Sequence, residues 1–112
     1  MVKLDLWPSI TGKFSVRVRG MDAPDIRKVD CENERIWGEE AKNKVIELYD
    51  PGSKVRLENV VLDSFGRVLA DISRYRSDRW LYLKEELINR KLAVEWHPNM
   101  KDVPWCLLAE TR

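Results

Sequence analysis

Two arginines and two aspartates carry the chemistry this chain could do. In RVRGMDAPDIR, residues 17–27, Arg17 stands on a run alternating with valine, a glycine breaks the run, and Asp22 and Asp25 flank Ala23-Pro24. In LDSFGRVLADI, residues 62–72, Arg67 follows a turn whose residues are Asp63 and Gly66. An arginine pair suits a phosphate, because each planar fork makes two charge-assisted hydrogen bonds and stays protonated at any working pH. A carboxylate beside such a pair can bind a hard cation or take a proton from water. The same residues can equally pair among themselves, Arg17 and Arg67 with Asp22, Asp63 or Asp71, and only hold turns. Spacing alone leaves phosphate, metal and salt bridge open.

Positioning these side chains requires strands that deliver them and turns that stop there. Val2, Leu4 and Leu6 alternate with polar residues or tryptophan, PSITG supplies a turn, and Phe14, Val16 and Val18 alternate with Ser15, Arg17 and Arg19. That is a hairpin whose arginines leave on the face opposite the core side chains. From about Glu34 to Tyr49 the apolar period becomes helical, with Ile36, Trp37, Ala41, Val45 and Leu48 on one stripe, until DPG at 50–52 stops it. Val55 to Leu62 and Val68 to Ile72 read as an antiparallel pair. Ser77 or Asp78 can cap a second helix carrying Trp80, Leu83, Leu87 and Ile88, and KLAVEW adds a short last strand. Trp37 and Trp80 are read as core anchors, and the tail 97–112 as a loop. The order predicts one α+β domain over residues 1–112, mainly β, as a five-stranded OB-fold-like barrel packed against two or three helices.

Composition sets the frame. The chain has 112 residues, 44% hydrophobic and 35% charged, with a net charge of +1, which does not by itself mark a nucleic-acid binder. Basic residues nevertheless cluster twice, at Arg17, Arg19, Arg27 and Lys28 and at Arg67, Arg74, Arg76 and Arg79, forming either an anion-binding face or solvated strand edges. No apolar run is long enough to suggest a membrane span, and the N-terminal residues do not read as a signal peptide. The expectation is therefore no membrane partner, and a cytoplasmic location unless an upstream segment directs export. Cys31 and Cys106 are too far apart for a local metal clip; a disulfide and two reduced thiols both remain open.

RVRGMDAPD, then a helix, a strand, DSFGRVLADI and LINRKLAVEW together resemble the staphylococcal nuclease-like, or thermonuclease, family over roughly residues 2–106. LDLWPSITGKFSVRVRGMDAPD with the late PWC looks most like a bacterial branch of it. The resemblance implies an oligonucleotide-binding barrel carrying calcium-dependent phosphodiester hydrolysis of DNA or RNA with little sequence preference. It puts Arg17 and Arg67 in the places of the family's catalytic arginines and Asp22 in that of a calcium-binding aspartate. The Ala23 carbonyl becomes a further ligand, and Asp25 replaces the glutamate that assists the attacking water. Phe65 falls where a nucleotide-contacting tyrosine stands, and Arg19 joins it as a nucleic-acid contact.

Two departures qualify those implications. Asp25 is one methylene shorter than glutamate, about 1.5 Å of reach. The family's Asp-Gly-Asp-Thr motif precedes the strand that here begins at Val2, and this chain starts after it, so the calcium site is expected to be weak. The alternative is an inactive nuclease-like module that binds nucleic acid or a protein. A further expectation is a homodimer formed through the barrel's exposed edge.

Overall fold

The computed structural model describes residues 2–5, 13–50, 52–64 and 66–112. Among them β1 (Val2–Asp5) and β2 (Lys13–Val18) pair antiparallel, with Val2 opposite Val16; the expected turn at 8–12 lies outside the described residues. Gly20, at φ 75°, turns the chain into β3 (Met21–Asp22), and α1 (Glu32–Leu48) follows. β4 (Val55–Leu62) and β5 (Val68–Arg76) are joined by the 63–67 turn, in which Gly66 has φ 76°. A third β-hairpin strand, β6 (Arg79–Tyr82), then α2 (Leu83–Asn89), β7 (Val94–Glu95) and α3 (Trp105–Ala109) complete the order.

The chain is α+β and mainly sheet. β4 follows one edge of β5 from Leu62 opposite Val68 to Val55 opposite Arg74. The other edge of β5 is divided: β2 runs parallel to it at 68–70, and β6 runs antiparallel to it at 73–76. β3 and β7 form a separate two-stranded ladder. No ladder joins β1 to β4 among the described residues, so the five-stranded sheet is not closed by hydrogen bonds.

Alternation decides the faces. Val16 and Val18 point inward with Ala70 and Ile72, against Trp37 and Ala41 of α1 and Leu83 and Leu87 of α2. Burial of these side chains removes apolar surface from water at roughly 25 cal/mol per Å². Ile36, expected on the apolar stripe of α1, is 43% exposed instead. Two other expectations change. Ser77 and Asp78 do not cap a helix: both have positive φ, 54° and 64°, and make a two-residue hairpin turn of the primed kind, so Trp80 lies on a strand. The tail after His97 is not all loop, since Trp105–Ala109 is helical.

One buried ion pair ties three elements together. Arg74 donates from Nε and Nη2 to the two carboxylate oxygens of Glu86, each at 2.8 Å, and from Nη1 to the Leu48 carbonyl at 3.5 Å. Both side chains are only 10% exposed. A buried charge that loses its partner is costly. Glu86→Ala is therefore expected to lose about 3–5 kcal/mol of stability, read as a lower urea midpoint, whereas Arg74→Leu with Glu86→Leu recovers most of it; equal loss in both proteins would disprove this account.

Candidate active site

The parallel pairing of β2 with β5 brings the backbone at Arg17 next to the start of β5, which Arg67 precedes. Val16 is opposite Val68 and Arg17 opposite Leu69, so Arg67 is two residues out of step with Arg17 on the same sheet face. Strand spacing puts their Cα atoms about 8 Å apart. Arg67 is oriented by Asp63: its Nε donates to Oδ2 at 2.7 Å and its backbone N–H to Oδ1 at 2.8 Å. Arg17 is half-buried and makes no ion pair among the described residues. Arg19 donates to the Asn59 carbonyl at 3.1 Å, and Asn59 in turn donates to Asp71. Phe65 lies outside the described residues.

The acidic turn comes next in the chain. Asp22 sits on β3 opposite Val94, and its Oδ2 accepts the indole N–H of Trp105 at 3.2 Å. Burial raises its carboxyl above the ordinary aspartate range, and the Asp102 charge adds to this. The Trp105 hydrogen bond, the Ala23 backbone N–H and the Arg17 charge oppose the rise. The Arg17 charge is therefore close enough to the turn to act on Asp22. Asp25 is exposed, and its Oδ1 accepts from the backbone N–H of Ile26 at 2.7 Å and of Arg27 at 3.3 Å.

Residues not singled out from sequence hold this turn. Glu34 is buried, and its two oxygens accept the backbone N–H of Asp25 at 3.2 Å and of Asp30 at 3.3 Å. It is the third residue after the helix cap Cys31, the position from which a capping carboxylate reaches back, so the sequence carried a usable signal. Gly38 lets the turn touch α1: a Cβ there would run into the Asp25 carbonyl oxygen and lie 2.8 Å from that of Pro24. Trp105 packs edge-on against Trp37 at 5.0 Å, and Trp37 donates to the Lys91 carbonyl.

Cys31 and Cys106 are bonded, resolving the two readings left open, and fasten α3 beside the start of α1. A bridge across 75 positions removes unfolded-state entropy, about 4 kcal/mol on the chain-entropy account. The cleft of about 410 Å³ opens elsewhere, at the fork of β5, among Val18, Ile72, Tyr82, Lys84 and Ile88.

The sequence profile of the family described as Staphylococcal nuclease homologue matches residues 15–110. The chain belongs to that family. It is also 31% identical over 85 residues to the "Probable staphylococcal-like nuclease CAN3" of Oryza sativa subsp. japonica, a match taking in 76% of this chain and 19% of that relative. The chain thus spans less than a fifth of the relative's length. The arginine pair and the acidic turn both fall within the matched residues.

Calcium needs hard oxygen donors; the turn supplies the Asp22 carboxylate, whose Oδ2 already accepts from Trp105, and the Asp102 charge acts on it from outside the turn. No group of three or more acidic, cysteine or histidine side chains suited to a metal occurs among the described residues. The donor set fits a low-affinity oxygen site rather than a tight cage.

The raised pKa of Asp22 has a stability consequence. Its folded-state pKa exceeds the unfolded one, so ionisation works against the fold above the folded value, and this handicap fades as pH falls through that value to the unfolded one. In chelator, Asp22→Asn, which keeps an acceptor for Trp105, is expected to melt higher than the wild type at pH 7 and level with it near pH 3. A lower melting temperature at pH 7 would mean that the attraction of Arg17 outweighs desolvation.

Proposed function

We propose that this chain is a calcium-assisted nuclease that hydrolyses phosphodiester bonds of DNA or RNA with little sequence preference. The observation that carries this reading is the parallel pairing of β2 with β5, which sets Arg17 on the strand next to the one that Arg67 leads into, with the Arg17 charge acting on Asp22 of the acidic turn. Arg17 and Arg67 bind the phosphate and neutralise charge that develops in the transition state. Asp63 holds the Arg67 fork in place, which lowers the entropy lost on binding. Asp25 orients water: its Oδ1 is occupied by its own turn, and Oδ2 accepts from the nucleophile. Asp22 and the Ala23 carbonyl would hold calcium, which supplies positive charge beside the phosphate.

The direct test is degradation of single-stranded DNA and RNA in calcium and in chelator. Calcium-dependent cleavage is expected to fall about a hundredfold or more in Arg17→Ala or Arg67→Ala; cleavage that survives in either variant, or in chelator, would refute the mechanism. The engagement of Asp25 Oδ1 with its own turn and the small donor set favour one second reading, a binding module without turnover. Salt-sensitive binding by folded protein that never cleaves selects it.

A homodimer through the sheet edge forms part of this proposal. The outer edge of β4 is unpaired among the described residues, and Val60, Val61 and Leu62 are 55%, 42% and 69% exposed. Sedimentation at tens of micromolar is expected to show dimers, with Val61→Lys monomeric; a monomeric wild type removes the dimer and leaves the nuclease reading intact.

A further inference from the structure

The basic cluster at Arg67, Arg74, Arg76 and Arg79 does not stay together in space. Arg74 is committed to Glu86, and Arg67 belongs to the turn before β5. Arg76 and Arg79 remain at the tip of the β5–β6 hairpin, register partners directly opposite one another. Both are exposed, and neither makes an ion pair among the described residues. Like charges placed opposite across a ladder destabilise it. An anion between them turns that repulsion into attraction.

The other face of the same hairpin carries aromatic rings. Tyr75 and Trp80 are register partners with ring centroids 5.3 Å apart, and Tyr75 is 44% exposed. A cation stands over each ring: Lys54 Nζ is 5.5 Å from the Tyr75 centroid and Arg56 Cζ 4.3 Å from that of Trp80. The nearby acids are Glu58, engaged by Arg56 and the Tyr82 hydroxyl, and Asp78, which accepts from Tyr75. Neither ring belongs to the core cluster or to the residues packed on it, so burial does not account for the pair.

We propose that this hairpin is a nucleic-acid contact separate from the arginine-aspartate site, in which bases of a single strand stack on Tyr75 and Trp80 while Lys54 and Arg56 on that face, and Arg76 and Arg79 where the strand passes round the hairpin tip, take phosphates. Rings accept any base through its π-face, and cations beside them follow the backbone. A second copy of the chain is the poorer occupant, because a two-fold contact would bring two positive faces together. Tyr75 shares the sheet face of Leu69, the partner of Arg17, and lies six residues further along β5, about 20 Å away. At roughly 3.4 Å per stacked nucleotide, a strand of about six nucleotides or more reaches both places.

The test is fluorescence anisotropy of labelled oligothymidylates of four and sixteen nucleotides in chelator, with near-ultraviolet circular dichroism to show that each variant is folded. Tyr75→Ala is expected to weaken binding of the longer oligomer about tenfold. Arg76→Ala with Arg79→Ala is expected to lower the salt slope by about 0.7 per lost phosphate contact. The longer oligomer should bind more tightly than the shorter by a margin that Tyr75→Ala narrows. Wild-type affinity in both hairpin variants, or no binding by the parent chain, overturns the proposal. Binding that depends on Arg17 and Arg67 alone also overturns it while leaving the nuclease reading standing. Hairpin-dependent binding by a chain that does not cleave supports the platform and sinks the nuclease.

Discussion

A strand has two hydrogen-bonding edges, and the way β5 distributes them organises this domain. One edge is given to β4 over most of its length. The other serves β2 for three residues and then β6, which comes back antiparallel after a two-residue turn. Backbone groups in the interior must find partners, and only Asp71 and Ile72 lie between the two registers, so neither neighbour can extend far along this edge. The first half of β5 thereby lies along Arg17, just after Arg67, and the second half carries a hairpin away from them. The cleft at Val18, Ile72 and Tyr82 opens where one neighbour gives way to the next. Arg74, on the second half, anchors the arrangement through Glu86 of α2 and the last turn of α1.

The acidic turn is governed differently, by two side chains outside it, one near in sequence and one far. Asp22 is held by Trp105, and the backbone at Asp25 by Glu34. The Cys31–Cys106 bridge ties the element bearing Trp105 to the cap of the helix bearing Glu34. The two holds on the turn are therefore mechanically one. A polar anchor in a partly buried setting fixes orientation as well as energy, and it holds Asp22 in place despite the cost of desolvating its carboxylate.

Much of this was readable from residue pattern because it depends on local periodicity. Alternation at Val16 to Arg19 and at Val55 to Leu62 placed strands correctly, and the helical stripe with DPG after it placed α1 within two residues at its start and one at its end. Ser77-Asp78 misled because the same short polar side chains favour helix caps and left-handed turns alike. The choice was made by the antiparallel pairing of Tyr75 with Trp80 across the two residues, where a helical stripe had been read instead. Spacing could nominate Arg17, Asp22, Asp25 and Arg67, but not Trp105. An indole 83 positions from Asp22 becomes its hydrogen-bond donor only once the bridge and Trp37 have placed α3.

Gly38 gives the acidic turn a dependence that its own residues do not reveal. The turn rests on α1 at a point where the helix has no side chain, with the carbonyls of Pro24 and Asp25 in the space a methyl group would fill. Backbone set against backbone has few ways to yield, unlike a flexible side chain that can swing aside. The position of the turn that carries both carboxylates is thus set by an atom that is missing from a helix. Mutational drift at that helix position would change the span of the site while leaving all four of its charged groups in the sequence.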